Sequence, residues 1–360
     1  MTTAHDVVES VSRIIGPVYL VGGSVRDALM GRSCGDFDFA TPHDPDTVEA
    51  AVRDAGRRPY LVGKRFGTVA FKLDGSTIEV TTFRSQSYRA GSRSPNVKFL
   101  PDLEHDLAQR DFTINAMALH GDELIDLFGG RRDLDAQLVR AVGDPAERLL
   151  EDPLRMLRAA RFVSQLDFGL DERLLEAIAH HAALILSVAR ERWMTELDQL
   201  LMGPGVGLAL RLLADSGLMR YMLPEIALQA RMVATPGQSD APPADPARTL
   251  FDETVEGVAS APQDITLRWA ALLRNVAAPY DETALRDETT PPHDGAARND
   301  TAPRGGASPA SQHVTDADAP NDRALLGAEI VERTALYLKW STSRREDVKR
   351  LVAEGRSART

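Results

Sequence analysis

The pattern of apolar and polar positions divides the chain into a mixed first part and a helical remainder. In residues 1–140, short β-branched or aromatic runs alternate with turn residues, as is typical of strands, whereas apolar residues recur at helical spacing over 145–223. The predicted strands are Val18–Val21, Phe37–Ala40, Thr68–Leu73 and Thr77–Thr82, and the predicted helices are Ser24–Met30 and Asp46–Ala55. We therefore predict an α/β head with a small mixed or antiparallel sheet, followed by all-α domains.

The helical remainder has its own start signals and composition shifts. Asp152-Pro153 predicts the start of a helix, because Asp caps a helix and Pro fits its first turn. Residues 279–323 are rich in Pro, Asp, Ala and Thr, which predicts disorder. Helical spacing returns in 324–356, where two helices are predicted around Trp340-Ser341-Thr342. The predicted domains are a head (1–140), a helical neck (141–225), a helical body (226–278), a disordered insertion (279–323) and C-terminal helices (324–360).

Composition narrows the possible partners and compartments. The net charge of -11 argues against a protein that coats nucleic acid indiscriminately, although a local basic channel remains compatible with it. Cys34 is the single cysteine, so internal disulfides are excluded, as expected for a reducing cytoplasm. The sequence has neither a long apolar run nor the features of a signal peptide at its first residues. We expect a cytoplasmic protein that does not enter a membrane.

The most informative motif is Gly22-Gly23-Ser24-Val25-Arg26-Asp27, followed by Asp36-Phe37-Asp38. A Gly-Gly-Ser turn that opens a helix presents backbone N–H groups to phosphates. Alternate positions of a strand share one face, so Asp36 and Asp38 should point outward together while Phe37 and Phe39 point inward. Phosphates beside paired carboxylates suggest metal-dependent transfer of a nucleotidyl group. The alternative is a surface turn followed by two solvated acids.

Glu79 lies on the predicted strand Thr77–Thr82, with Ile78 and Val80 on the opposite face. If this strand pairs beside the Asp36–Phe39 strand, Glu79 completes a set of three carboxylates. Such a set could hold two metal ions about 4 Å apart, which would activate an attacking hydroxyl and neutralise a leaving pyrophosphate. An exposed strand glutamate is the equally weighted alternative.

The segment from Arg110 to Ala116 is predicted to begin another helix, capped by Asp111. Arg110 suits a triphosphate, and Asn115 suits a ribose or phosphate oxygen. Capping alone explains Asp111 but leaves the arginine and the asparagine unexplained.

These motifs together resemble the bacterial tRNA nucleotidyltransferase and poly(A) polymerase family, and more narrowly its class II CCA-adding enzymes. The resemblance implies that Asp36 and Asp38 bind the catalytic metals and that Arg110, Asp111 and Asn115 grip the incoming nucleotide. It also implies that residues 130–140 connect head and neck. The expected cofactor is Mg²⁺ in a two-metal site, and the expected partners are CTP, ATP and the acceptor end of tRNA.

A further motif runs from Glu151 through Asp152, Arg155 and Arg158. On a helix, Asp152 and Arg155 are i, i+3 neighbours on one face. A carboxylate accepts from the exocyclic amine of cytosine or adenine, and a guanidinium donates to a ring nitrogen or carbonyl. The resemblance implies that the pair selects C and A in this way. The alternative is an ordinary intrahelical ion pair, worth about 0.3–0.5 kcal/mol.

Basic residues could hold the RNA. A basic stretch follows the Thr77–Thr82 strand, and further arginines lie on the predicted neck helices. The candidates are Arg84, Arg89, Arg93, Arg161 and Arg192. Several of them could instead lie on solvated helix faces.

The sequence also departs from the family pattern. Met194 stands where the family usually has an arginine, and Arg274-Asn275 stands where many relatives have a His-Asp metal pair. Because arginine cannot ligate a divalent cation, the body is predicted to be a degenerate form of a metal-phosphohydrolase scaffold.

The sequence thus predicts an enzyme that adds C, C and A to the 3′ end of tRNA. Within the same class, a poly(A) polymerase or an enzyme that adds only CC or only A remains an alternative. From another class, a catalytically weak tRNA- or RNA-binding protein is the alternative, because the body and the position of Met194 are altered.

Overall fold

The computed structural model describes residues 4–32, 35–87, 96–100, 102–232, 249–276 and 319–354. The chain divides into two compact units, Met1–Ala230 and Arg231–Thr360. The finer division into head, neck and body stays a prediction. Most of the predicted insertion, and the loop arginines Arg89 and Arg93, lie outside the described residues.

The first unit begins as an α/β structure and continues as helices. Its strands are β1 (Tyr19–Val21), β2 (Asp36–Thr41), β3 (Thr68–Leu73), β4 (Ser76–Thr82), β5 (Arg84–Ser87), β6 (Asn96–Phe99), β7 (Met117–His120), β8 (Glu123–Asp126), β9 (Leu138–Val139) and β10 (Gly169–Leu170). Its helices are α1 (Ala4–Ile15), α2 (Gly23–Leu29), α3 (Pro45–Asp54), α4 (Leu103–Ala108), α5 (Gly130–Asp135), α6 (Pro145–Glu151), α7 (Leu154–Leu166), α8 (Glu172–His181), α9 (Arg190–Leu201), α10 (Val206–Asp215), α11 (Met219–Met222) and α12 (Pro224–Gln229). The predicted mixed sheet and helical continuation are confirmed.

Among the described residues, the main sheet has the strand order β3-β4-β2-β1-β7-β8. The β2–β4 pair is parallel and the other pairs are antiparallel. In β2, Phe37 and Phe39 are buried while Asp36 and Asp38 are open, as their alternation predicts. This register fixes which face of the sheet carries the acidic side chains.

Helix α7 lies in the interior of the helical part of this unit. Its side chains are buried on almost every face, including Leu154, Met156 and Val163, and it packs against α9 and α10. Trp193 of α9 is fully buried. A helix that is enclosed in this way has a fixed position, so the polar side chains at its first turns are also held in place.

The second unit is helical, with α13 (Leu250–Ser260), α14 (Ile265–Leu273), α15 (Ala319–Tyr337) and α16 (Thr342–Ala353). Trp269 and Trp340 stack edge to face, with their ring centroids 4.8 Å apart. At the predicted degenerate metal position, the amide of Asn275 donates to the Thr254 hydroxyl at 3.0 Å. A neutral hydrogen bond therefore occupies this place.

Two local predictions are corrected, and some short strands were not predicted. The segment after Arg110 forms only a short 3₁₀ turn, Thr113–Asn115, and Asp111 binds side chains instead of capping a helix. Helix α15 begins at Ala319 and not at residue 324, since a proline in the first turn suits a helix start. Strands β5 to β8 were not predicted, because their runs are short and only partly apolar. Within the described residues, no helix combines the length and apolarity needed to cross a membrane.

Candidate active site

A cleft of about 610 Å³ in the first unit collects most of the predicted site residues. One wall comes from the sheet face and the start of α2, and the other comes from α7 and α9. The predicted residues that line it are Gly22, Gly23, Arg26, Asp38, Glu79, Arg84, Arg110, Asp111, Asn115, Asp152, Arg155, Arg158, Arg161 and Arg192. Segments that are far apart in the sequence therefore share one polar cavity.

Asp38 and Glu79 lie on neighbouring strands and line this cleft, whereas Asp36 does not line it. Asp38 of β2 is directly opposite Glu79 of β4 in the parallel register, and Asp36 lies two residues before Asp38 on the same face. Desolvation in the cleft and the charge of Asp36 raise the pKa of Asp38, while Arg110 partly offsets them. Burial and the two aspartates also raise the pKa of Glu79. This cluster concentrates negative charge that a bound cation would neutralise.

The glycine turn places the start of α2 against Arg110. Gly22 has φ +70, and a Cβ atom there would lie 2.9 Å from Nη1 of Arg110. Ser24 is buried, and its hydroxyl accepts a hydrogen bond from the Asp38 backbone N–H at 3.1 Å. Ser24 thus holds β2 in place, and it does not line the cleft.

Arg26 and Asn115, two candidate nucleotide-binding residues that line the cleft, bind each other. Arg26 is buried and donates to Oδ1 of Asn115 at 2.7 Å, and it also pairs with Asp27 at 2.8 Å. The amide of Asn115 donates to Oδ1 of Asp111 at 3.1 Å. These contacts connect α2 to the segment after Arg110 and set the shape of the cleft.

Asp111 pairs with Arg158 at the boundary between the sheet domain and α7. The guanidinium of Arg158 donates to Oδ2 of Asp111 through Nε at 2.9 Å and Nη2 at 2.5 Å. Burial alone would raise the pKa of Asp111, but Arg158, Asn115 and the backbone N–H of Phe112 outweigh it and lower the pKa to about 2. Asp111 is therefore a buried anion that joins the two walls.

Asp152 and Arg155 both line the cleft, but they do not pair with each other. Asp152 lies in extended backbone just before α7, and its Oδ2 accepts from Arg192 of α9 at 2.8 Å. Arg155 pairs with Glu151 at 3.0 Å and donates to the Gln109 carbonyl at 2.8 Å. The backbone N–H of Arg155 donates to the Asp152 carbonyl at 3.0 Å, so a turn at the start of α7 keeps the two residues in an i, i+3 relation, whereas the alternative of an intrahelical ion pair between them is not formed.

The sequence analysis missed Phe162, whose ring lies among three guanidinium groups. The guanidinium carbons of Arg161, Arg26 and Arg158 lie 3.9, 5.3 and 5.6 Å from the ring centroid. Glu196 of α9 pairs with Arg161 and Arg158. The i, i+4 spacing from Arg158 to Phe162 was the available signal, but it is equally typical of a core helix.

Arg84 is the one predicted loop arginine whose surroundings are described. Its backbone N–H donates to Oδ1 of Asp106 at 3.0 Å, and its guanidinium hydrogen-bonds the Phe66 carbonyl. Asp106 also pairs with Arg110 at 3.1 Å. Asp106 therefore ties the base of the basic stretch to the arginine beside the glycine turn.

Comparison with known protein families fits this geometry. The family described as "Poly A polymerase head domain" matches residues 18–140, and that described as "Probable RNA and SrmB- binding site of polymerase A" matches residues 167–229. The two matches together cover about half of the chain. The chain belongs to the tRNA nucleotidyltransferase and poly(A) polymerase family.

Within this family, curated relatives are CCA-adding enzymes. The chain is 45% identical to the enzyme of Bacillus licheniformis over 206 residues, which is 57% of this chain and 51% of that enzyme. It is 42% identical to the enzyme of Geobacillus kaustophilus over 234 residues, which is 64% of this chain and 56% of that enzyme. The chain thus spans about half the length of the curated relatives it matches.

Solved structures have the same fold. The Bacillus stearothermophilus CCA-adding enzyme in complex with CTP superposes with a TM-score of 0.59 at 28% identity, covering 97% of this chain and 77% of that chain. An apo form of a CCA-adding enzyme superposes with a TM-score of 0.61 at 21% identity, covering 97% of this chain and 78% of that chain. The described part of this chain therefore has the fold of these enzymes.

Proposed function

We propose that this protein adds C, C and A to the 3′ end of tRNA from CTP and ATP, releasing pyrophosphate. The observation that carries the proposal is the cleft in which Asp38 and Glu79 lie on one wall while Asp152 and Arg155 lie on the other. The carboxylates could act at the phosphate end of a bound nucleotide, while Asp152 and Arg155 could contact its base. The similarity to CCA-adding enzymes supports the same reaction.

The triphosphate would lie against the start of α2 and Arg110. The backbone N–H groups of Gly23 and its neighbours point from a helix N-terminus, which favours anions. Arg110 keeps Asp106 as its partner and adds positive charge beside Gly22. In the transfer, the RNA 3′-hydroxyl loses its proton, its oxygen bonds the α-phosphorus, and pyrophosphate leaves with the electron pair of the broken P–O bond.

The base would be read by Asp152 and Arg155. Arg192 holds Asp152, while Glu151 and the Gln109 carbonyl hold Arg155, so both side chains are oriented before a nucleotide enters. A carboxylate oxygen can then accept from the amine of cytosine or adenine, and the guanidinium can donate to a ring acceptor. Uracil and guanine present a carbonyl in place of that amine and leave an acceptor unpaired. Preorganised ion pairs at this position explain how a protein could choose C and A without a nucleic-acid template.

The acidic cluster fits Mg²⁺ as the cofactor. Within the described residues, no three carboxylate, imidazole or thiolate side chains are spaced as ligands of a single metal ion. Mg²⁺, however, is commonly held by one or two carboxylates together with substrate phosphates and water. Asp36 and Asp38, with Glu79 as a third candidate, supply the oxygen donors, and their mutual repulsion fits a cation. A bound metal would lower the pKa of the RNA hydroxyl and neutralise the leaving pyrophosphate.

A tailing assay tests the proposal. Three tRNAs that end before CCA, after C or after CC are incubated with CTP, ATP or both, and the products are sized at single-nucleotide resolution. We expect addition to stop after CCA, and we expect Asp36→Ala to abolish it. A stop after CC, addition of A alone or growth of a long A tail would assign a sister activity. RNA binding without any addition would favour the RNA-binding alternative.

A further inference from the structure

A second cavity, of about 540 Å³, lies beside the acidic cluster in the first unit. Glu79 and Arg84 line both this cavity and the cleft described above. Asp38, Glu79 and Ala70 are successive partners across β2, β4 and β3, so the same sheet face continues from the cleft into the second cavity. The carboxylates therefore lie between two concave surfaces.

The walls of the second cavity are largely apolar and open to solvent. Tyr60 is 48% exposed and Val62 is 95% exposed, and Phe66 also lines the cavity. The Tyr60 backbone exchanges hydrogen bonds of 2.7 and 3.1 Å with Ala70 of β3. An exposed aromatic ring on rigid backbone is typical of a surface that binds a flat ligand.

Positive charge lies at the same cavity. Lys72 is exposed, and its ammonium donates to the Thr77 hydroxyl at 2.7 Å. Arg84 hydrogen-bonds the Phe66 carbonyl, and the Arg65 guanidinium lies 4.4 Å from the Phe66 ring centroid. Aromatic surfaces that alternate with cations are the pattern by which proteins hold single-stranded nucleic acid. The first cleft differs, because buried arginine–aspartate pairs dominate it.

We propose that this second cavity holds an unpaired nucleotide at the 3′ end of the acceptor RNA, with its base stacked on Tyr60 and its phosphate near Lys72. The inference rests on the proposed function, in which two substrates must meet at Asp38 and Glu79. The attacking and leaving oxygens of such a transfer lie roughly in line on opposite sides of the phosphorus. The first cleft holds the nucleotide, so the acceptor enters from the second cavity, and Tyr60 is a positioning residue for the RNA.

A binding measurement tests the stacking directly and does not require catalysis. An RNA hairpin with a single-stranded 3′ end carries 2-aminopurine as its last nucleotide, and its fluorescence is titrated with the full-length protein in the absence of nucleotide. Stacking on Tyr60 quenches the fluorescence of the wild-type complex. Tyr60→Phe keeps a ring and should retain the quenching, whereas Tyr60→Ala should lose it and bind the RNA roughly tenfold more weakly.

Steady-state kinetics separate the two substrates. Tyr60→Ala and Lys72→Met should each raise the KM for the RNA by about tenfold. The KM for CTP should stay within about twofold of the wild-type value, since a cavity for the acceptor leaves nucleotide binding intact. Tyr337→Ala, another exposed tyrosine, serves as the control for general loss of aromatic surface, and thermal unfolding checks that each variant is folded.

The two measurements have distinct outcomes. If the wild type extends RNA but Tyr60→Ala changes neither the quenching nor the KM for RNA, the acceptor binds elsewhere and the inference is wrong. If the KM for CTP rises instead, the cavity serves the nucleotide, which also overturns it. If the wild type quenches the probe through Tyr60 but extends no RNA, the proposed function fails while the RNA site stands.

Discussion

Asp111, Arg158 and Glu196 form a chain of ion pairs, and two of its members, Asp111 and Arg158, line the cleft. Arg158 bridges Asp111 and Glu196, and Glu196 also pairs with Arg161. The charges of Asp111 and Glu196 outweigh burial and raise the pKa of Arg158, so its guanidinium stays protonated. Removing one member of a buried ion pair costs about 3–5 kcal/mol, because its partner remains as an unpaired buried charge. We infer that these residues fix the position of α7 relative to the sheet.

The pKa of Asp111 predicts a dependence of stability on pH. Its pKa is about 2 in the folded protein against an ordinary value of 3.8, which corresponds to about 2 kcal/mol of folding free energy. Because the folded pKa is the lower one, this contribution is present above about pH 4 and is lost as the pH falls toward about 2. The free energy of unfolding of the wild type and of Asp111→Asn should therefore differ most above about pH 4. Urea unfolding at several pH values measures the difference, and a constant gap down to the lowest pH would contradict it.

Asp152→Asn should relax the choice of base. An amide can donate to the carbonyl of uracil where a carboxylate can only accept. The ratio of kcat/KM for CTP to that for UTP should fall by about tenfold or more, since a good base contact is worth about 1–3 kcal/mol. Single-nucleotide addition with each triphosphate measures this ratio. Glu172→Gln is the control, because Glu172 is exposed at the start of α8 and does not line the cleft. An unchanged ratio in Asp152→Asn would remove Asp152 from base selection.

At the scale of secondary-structure elements, the start of α2 requires a backbone conformation that restricts which residue can stand there. Gly22 adopts φ +70, which disfavours any residue with a side chain, and Arg110 fills the space that a Cβ atom would need. Gly31, just after the same helix, has φ +68, and among the described residues outside its chain neighbours nothing lies within 4 Å of its Cβ position. Both glycines thus have positive φ, but Gly22 also has ψ -136, which lies outside the left-handed helical region, and Gly22 is the one of the two with Arg110 beside it.

This difference provides a matched pair of variants. Gly22→Ala and Gly31→Ala should both be destabilised by the positive φ, by about 1 kcal/mol at Gly31 and by more at Gly22, whose ψ of -136 few residues with a side chain adopt. Only Gly22→Ala should also displace Arg110, so its KM for CTP should rise by about tenfold or more, because one charge-assisted contact is weakened. Thermal unfolding and single-addition kinetics separate the two effects. Equal kinetics in the two variants would mean that Arg110 does not bind the triphosphate.

At the scale of the whole molecule, both cavities belong to one compact unit. Among the described residues, those that line the nucleotide cleft lie between Val21 and Arg192, and those that line the second cavity lie between Tyr60 and Arg84. The second unit, Arg231–Thr360, has its own packed tryptophans. Nucleotide binding should therefore depend on the first unit alone.

A fragment of residues 1–230 tests this separation. We expect it to unfold cooperatively in urea and to bind CTP within about threefold of the affinity of the full chain, because the cleft loses none of its residues. Calorimetric titration of CTP into both proteins measures the affinities. If the fragment is folded but does not bind CTP, residues beyond 230 contribute to nucleotide binding.

The local pattern of apolar and polar residues predicted the helices and strands in which that pattern is strongly periodic. The strand Thr68–Leu73 was predicted with its observed bounds, and the acidic strand and the helix after the glycine turn were predicted within one residue at each end. The segment after Arg110 was predicted to begin a helix because Asp111 can cap one. The chain instead makes a single 3₁₀ turn there, where Asp111 binds Arg158 and Asn115 binds Arg26. Hydrogen bonds to residues far away in the chain outweighed the local helix propensity of this segment.

By itself, the sequence determined the α/β head, the helical remainder, the two acids on one strand face and the family. These features follow from the residue at each position and its near neighbours, through alternation, capping and turn chemistry. Only the tertiary structure decided that Arg192 binds Asp152, that Asp111 binds Arg158 in the protein interior, and that a second cavity adjoins Glu79. A charged side chain that could pair with several oppositely charged residues pairs with the one that packing brings within hydrogen-bond distance. Packing in turn depends on segments that are far apart in the chain.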